Sequence, residues 1–135
     1  MKNIIMVFIL SLYGYIGFAQ DAAFKKDIVR FNEITGFTAK IEAVKTGVLE
    51  SLSDEGKKRF SEEFDTAFTT FKEKSAALFA QYYTHDDFKS TIKLFEETNE
   101  ISLPEIVKGE EFSKAYQKLN EEFSVAVQKA YLKEQ

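Results

Sequence analysis

An all-α fold, a compact bundle of about four or five helices, is predicted by three features of the chain. Apolar residues recur at spacings of three and four, not at two. A single proline, Pro104, occurs in 135 residues, so helix can run almost anywhere else. No Asn-Gly or Asp-Gly dipeptide marks a hairpin turn.

The chain opens with a segment of a different kind. Lys2 supplies a positive start, and an apolar run extends from Ile4 to Ile16. Gly17-Phe18-Ala19 then places small residues at the two positions a signal peptidase inspects. Residues 1–19 read as a secretory signal peptide, with cleavage expected between Ala19 and Gln20. The apolar run is too short for a permanent span and lacks a basic stop flank, so no stable membrane span is expected after cleavage. Residues 20–135 form a single helical domain, expected to be exported to the periplasm or beyond the cell.

Removing 19 residues from 135 leaves 116, enough for one core. Lys2 is the only charge in the leader, so residues 20–135 carry 17 Lys and Arg against 22 Asp and Glu, a net charge of −5. A mildly acidic chain does not suit nucleic acid or anionic lipid, both of which ask for a basic patch. The absence of cysteine excludes disulfides, thiolate metal ligands, thiol nucleophiles and a lipid anchor at the Gln20 position. The domain must therefore stand on its hydrophobic core. Twelve of the 14 Phe lie beyond residue 19, and each contributes roughly 1.5–3 kcal/mol when buried.

Five segments follow in order. The first runs from about Ala22 to Thr35, capped by Asp21, with Phe24, Ile28, Phe31 and Ile34 on one stripe and Gly36 as its end. The second spans about Thr38 to Leu52, with Ile41, Val44, Val48, Leu49 and Leu52 on one side and Gly47 weakening its middle. The third starts at the N-cap Ser53, with Asp54 and Glu55 in its first turn. Its stripe follows spacings of three and four through Phe60, Phe64, Ala67, Phe68, Phe71, Ser75, Leu78, Phe79 and Tyr82. Its opposite side carries Lys57, Lys58, Glu62, Asp65, Lys72 and Lys74. The fourth begins at Thr84, where Thr84-His85-Asp86-Asp87 is a capping-box variant with Asp in the third position. Phe88, Ile92 and Phe95, with Leu94, form its face, and it fades near Thr98-Asn99. From Glu100 to Gly109 the chain is irregular, with Pro104 opening one short turn that Gly109 stops. The fifth runs from about Glu110 to Lys133 on the stripe Phe112, Tyr116, Leu119, Phe123, Val127, Ala130 and Tyr131.

The corner Tyr83-Thr84-His85-Asp86-Asp87 and the following Phe88-Lys89-Ser90-Thr91-Ile92-Lys93-Leu94-Phe95-Glu96, behind a leader, two short helices and a long aromatic helix, resemble the domain of unknown function 2059 family of small exported bacterial helical proteins. Ala19-Gln20 resembles the leader ends of Bacteroidetes-type bacteria. The resemblance covers residues 1–98 and is loose beyond them. The family's Phe-Tyr-Glu-Ser/Thr-Pro-x-Gly-Lys continuation is replaced by Leu94-Phe95-Glu96-Glu97-Thr98-Asn99-Glu100-Ile101, so the chain diverges after residue 96. The resemblance implies export and an all-helical fold, and no activity.

Candidate sites are few. His85 is the only histidine. With Asp86 or Asp87 it would make a general base or one metal ligand, but consecutive residues at a helix start diverge and no second His completes a zinc site. The ordinary reading is a solvent-facing first-turn residue beside a cap. Acidic doublets at residues 62–63, 86–87, 96–97, 110–111 and 121–122 read as solvated faces, because neighbours on a helix diverge by about 100°. Glu96, Glu97 and Glu100 are the least poor metal candidates among them. No nucleophile elbow, Ser-x-x-Lys set or phosphate-cradling glycine loop occurs. Catalytic, cofactor and metal residues are therefore assigned to none. Tyr83, His85, Asp86 and Asp87 form the candidate interaction surface, since aromatics with polar tips are favoured at interfaces. The expected function is a non-enzymatic binding module of the cell envelope, its partner an envelope protein or a second copy of itself. A carrier of a small apolar ligand, with the Phe60–Phe79 stripe lining the cavity, is the alternative. A hydrolase or metal-binding protein ranks third.

Overall fold

The computed structural model describes residues 22–135. The leader and the cap expected of Asp21 lie outside the described residues. Five helices and no strand occur among the described residues: α1 (22–34), α2 (Phe37–Leu49), α3 (Asp54–Tyr82), α4 (His85–Thr98) and α5 (Gly109–Leu132). The all-α bundle expected from apolar spacing is what the chain forms.

Phe24, Ile28 and Phe31, spaced four and three apart, are the buried residues of α1. Gly36 closes that helix at φ +79° and serves at once as the N-cap position of α2. An L side chain rarely adopts this backbone conformation, and glycine takes it without strain. The second helix is shorter than its periodicity suggests. It ends at Leu49 rather than Leu52, because the Ser51 and Leu52 amides bond back only three residues, to Val48 and Leu49. That tightening delivers a buried Leu52 and an extended Ser53. Val44, expected on the apolar side, is 53% exposed, and Ile41, Val48 and Leu49 do the packing instead.

Ser53 opens α3 as expected, its hydroxyl accepting the Gly56 amide at 3.2 Å. The helix then runs 29 residues. Phe60, Phe64, Phe68, Phe71, Ser75 and Phe79 are buried along it, with Ala76 beside them. Ser75 is satisfied locally, its hydroxyl donating to the Lys72 carbonyl at 3.1 Å. The Thr84–Asp87 capping box is complete: the Asp87 amide donates to Thr84 Oγ1 at 3.1 Å, and the Thr84 amide to Asp87 Oδ2 at 2.8 Å. Asn99, left-handed at φ 58°, terminates α4.

Pro104 does not open a turn of helix. Residues 100–106 lack regular structure, the single turn lies at 106–109, and Gly109 begins α5 instead of stopping a turn. The segment is anchored from α4. Thr91, 2% exposed, shares its hydroxyl between the Asp87 carbonyl (2.9 Å) and the Ser102 carbonyl (3.1 Å), while Leu103 packs on the core.

α5 lies antiparallel along α3. Arg59 meets Glu134, Glu63 meets Lys133, Lys74 meets Glu122 and Tyr82 meets Phe112. Two core clusters result. One joins α1, α4 and the end of α3 through Phe24, Ile28, Phe31, Phe79, Phe88 and Ile92. The other joins α2, α5 and the first half of α3 through Leu52, Phe60, Phe64, Phe68, Phe71 and Ala130. Tyr116 packs against both, and its burial pushes its phenol above the ordinary value.

The far end of the pair is held by charge. Arg59 donates to Glu134 from Nε (3.0 Å) and Nη2 (2.8 Å), across a gap that Gly56 keeps narrow: a Cβ there would meet Ser53 Oγ at 3.2 Å and Glu134 Oε2 at 3.4 Å. The hydrogen bond from Arg59 holds the Glu134 carboxyl below its ordinary value.

Phe64 is fully buried, and Phe64→Ala should cost about 3–5 kcal/mol in urea unfolding. Because the Glu134 carboxyl is held down in the folded state, the stability it adds is present above the ordinary glutamate value of 4.5 and is lost as pH falls through it. The stability difference between the native chain and Glu134→Gln should therefore be constant at neutral pH and shrink on acidification, read by thermal melts from pH 7 to pH 3.

Candidate interaction surface

The four predicted surface residues sit where α3 hands over to α4, and the fold uses three of them internally. Tyr83 is half-buried, its ring 6.1 Å from Phe79, 6.0 Å from Phe88 and 5.4 Å from Phe112. Burial, then the nearby Asp87 charge, raises its phenol above the ordinary value. Asp87 is committed to the capping box. His85 is not the solvent-facing residue its position suggests. Its Nε2 lies 2.6 Å from Asp27 Oδ2 on α1, and its ring stacks on Phe24 with centroids 5.2 Å apart. The packing of α1 over the start of α4 brings Asp27 there, 58 residues away in sequence, where no local spacing reveals it. Only Asp86 faces solvent, its side chain 92% exposed and 3.9 Å from Lys89.

The acidic candidates do not converge. Glu96 pairs with Arg30 and Glu97 with Lys93. No group of three or more His, Asp or Glu side chains is placed to hold a metal ion among the described residues. The Phe stripe divides. Phe60 and Phe64 are 0% exposed and closed in by Leu52, Phe68 and α5, so they line no cavity.

A different surface emerges beside that stripe. α2 and α4 cover one side of the α3–α5 pair, through Phe37 on Phe71, Lys45 on Asp65 and Phe88 on Phe79, and α1 joins the same cluster through Phe24, Ile28 and Phe31. Among the described residues, the other side is uncovered. Glu63, Ala67, Thr70, Lys74, Ala77 and Gln81 follow one another along α3 at spacings of four and three. Ala115, Leu119, Glu122 and Ala126 do so along α5. Between them lies a groove. At its centre is a cavity of about 270 Å³ over Phe71, Leu119 and Phe123, opening into shallower clefts towards Glu62 and towards Gln81. Lys74 spans the groove to Glu122 at 2.8 Å, and that hydrogen bond holds the Glu122 carboxyl below its ordinary value.

Spacing alone could have found this second stripe, since its residues keep the seven-residue repeat of a helix–helix seam. The residue types conceal it: threonine, lysine and glutamate read as a solvated face, and Ala67 and Leu78, expected in the core stripe, line this groove instead because they sit on the side of α3 turned away from α2 and α4.

His85→Ala removes one hydrogen bond and one ring stack, which together should cost about 1–3 kcal/mol. Amide exchange in α1 should quicken with it. Asp86→Ala should change neither, and urea unfolding with hydrogen exchange checks both variants.

No protein-family model matches the chain, and neither a curated protein nor a solved structure matches it.

Proposed function

We propose that this chain is an exported, non-enzymatic binding module of the bacterial cell envelope, and that it binds through the uncovered α3–α5 face. One observation carries the reading. Three helices are stacked on one side of the α3–α5 pair, while the other side keeps a groove at helix-seam spacing that no other described residue fills. A face with that spacing is complementary to another helix. The leader of residues 1–19 supports export, and the resemblance at Tyr83–Glu96 to the domain of unknown function 2059 family supports the same compartment.

A second reading has an observation of its own. The central cavity is floored by Phe71, Leu119 and Phe123, and its size suits a small apolar molecule held under the Lys74–Glu122 bridge.

Photo-crosslinking residues placed singly at Ala67, Ala126 and, as a control on exposed α4, Lys93 test the first reading in the native host. A discrete crosslinked species from 67 and 126 but not from 93 is expected. Equal labelling at all three positions, or none at 67 and 126, overturns it. Saturable uptake of a fluorescent fatty acid that Ala126→Arg abolishes would favour the carrier instead. N-terminal sequencing of the exported protein should begin at Gln20.

A further inference from the structure

We propose that the occupant of the α3–α5 groove is a second copy of this chain, crossing antiparallel so that α3 lies against α3 of its partner. The proposal rests on the binding reading above and names its partner.

The α3 stripe is nearly palindromic in size. Reading from Glu63 to Gln81, the order is long, small, small, long, small, long, with Ala67 and Ala77 on either side of the centre. A two-fold axis crossing α3 near residue 72 exchanges Ala67 with Ala77 and Glu63 with Gln81. Such an interface must be complementary to itself, because the same patch faces itself across the axis. Small residues facing each other let the two backbones approach, Glu63 and Gln81 fall outside them, and Lys74, which breaks the palindrome opposite Thr70, is drawn aside onto Glu122.

Charge agrees with that direction. Glu63 and Lys74 are already neutralised within the chain, by Lys133 and Glu122. Glu62 lines one end of the groove and Lys118 the other; neither is within salt-bridge distance of a partner among the described residues, and Lys118 acts on Glu122 only as the weakest of the influences on it. The antiparallel crossing brings the Glu62 end of each copy to the Lys118 end of the other, twice over. A parallel crossing would leave both unmatched.

The size of the face sets the strength. Residues 62–81 at 1.5 Å per residue give a patch about 29 Å long, and two adjacent helices make it about 20 Å wide, or roughly 600 Å² on each copy. That is the lower edge of what specific interfaces bury, so the dimer should be reversible with Kd on the order of 10 μM.

Sedimentation of the purified protein from about 1 to 500 μM, a range that brackets this Kd, reads the equilibrium directly. A concentration-dependent dimer is expected. Ala67→Arg and Ala126→Arg should each weaken it at least about tenfold, while helical content by circular dichroism and the melting temperature at low concentration stay unchanged. Glu62→Lys and Lys118→Glu should each weaken it about threefold or more, and the double reversal should restore it. A monomer across the whole range, or a dimer indifferent to Ala67→Arg and to both reversals, overturns the proposal. The two readings separate cleanly. A monomer whose groove crosslinks to a protein of different mass removes the self-association and leaves the binding module standing. A groove that crosslinks to nothing removes both.

Discussion

Everything in this fold depends on one helix being aromatic along its whole length. The α3 stripe from Phe60 to Phe79 enters both core clusters, so neither cluster is complete without it. Its rings do not stand alone. Phe123 of α5 lies within 5.9 Å of Phe64, Phe68 and Phe71, and Tyr116 lies between Phe71 and Phe79. A domain of this size with no disulfide has little else to draw on. Ring contacts of this kind add about 0.5–1.5 kcal/mol beyond the area they bury. That explains why phenylalanine, rather than leucine, fills the positions where α3 meets the other helices.

The elements were legible because their signals are local. The Ser53 cap, the Thr84–Asp87 box and the three-and-four spacing each involve residues within one or two turns of each other, and each appears in the structure where the spacing puts it. What failed was what depends on contacts across the chain. Val44 satisfies the periodicity of α2, yet α2 packs on the Phe64–Phe71 cluster through Ile41, Val48 and Leu49 and leaves Val44 exposed. Thr91 carries no apolar signal, yet it is buried as the tie to the 100–108 segment. The same limit hid the role of His85: Asp27 and Phe24 come to it only when α1 folds over α4.

The polar ties show a division of labour between centre and ends. In the middle, burial of rings leaves no polar atom wanting: no buried side-chain nitrogen or oxygen lacks a partner among the described residues. At the ends, ion pairs and one His–Asp contact add to the packing. Arg59 with Glu134 closes one end of α3–α5, and His85 with Asp27 and Arg30 with Glu96 fasten α1 to α4. Arg30 with Glu96 is exposed on both sides, so solvent screens it and it adds little to global stability, whereas Glu134, His85 and Asp27 are partly shielded. Their effect is on direction: they fix which helix end meets which, a choice that rings packing on rings leave loose.

The uncovered face of α3 and α5 makes sense on the same terms. Had residues 67, 77, 115 and 126 been leucine, the exposed seam would be a contiguous apolar patch of the size that drives irreversible association. Alanine keeps the spacing of a helix seam while removing most of its apolar area, and Lys74 with Glu122 places a hydrated pair across the middle. The groove is thus shaped for a helix but weakly driven to take one. In the proposed dimer such a surface would bind through fit and charge rather than through area, which suits a contact that must form and release. Strength and reversibility pull in opposite directions on one helix, and the proposed dimer separates them by side: rings inward, where contact is permanent, and alanines outward, where the proposed contact is reversible.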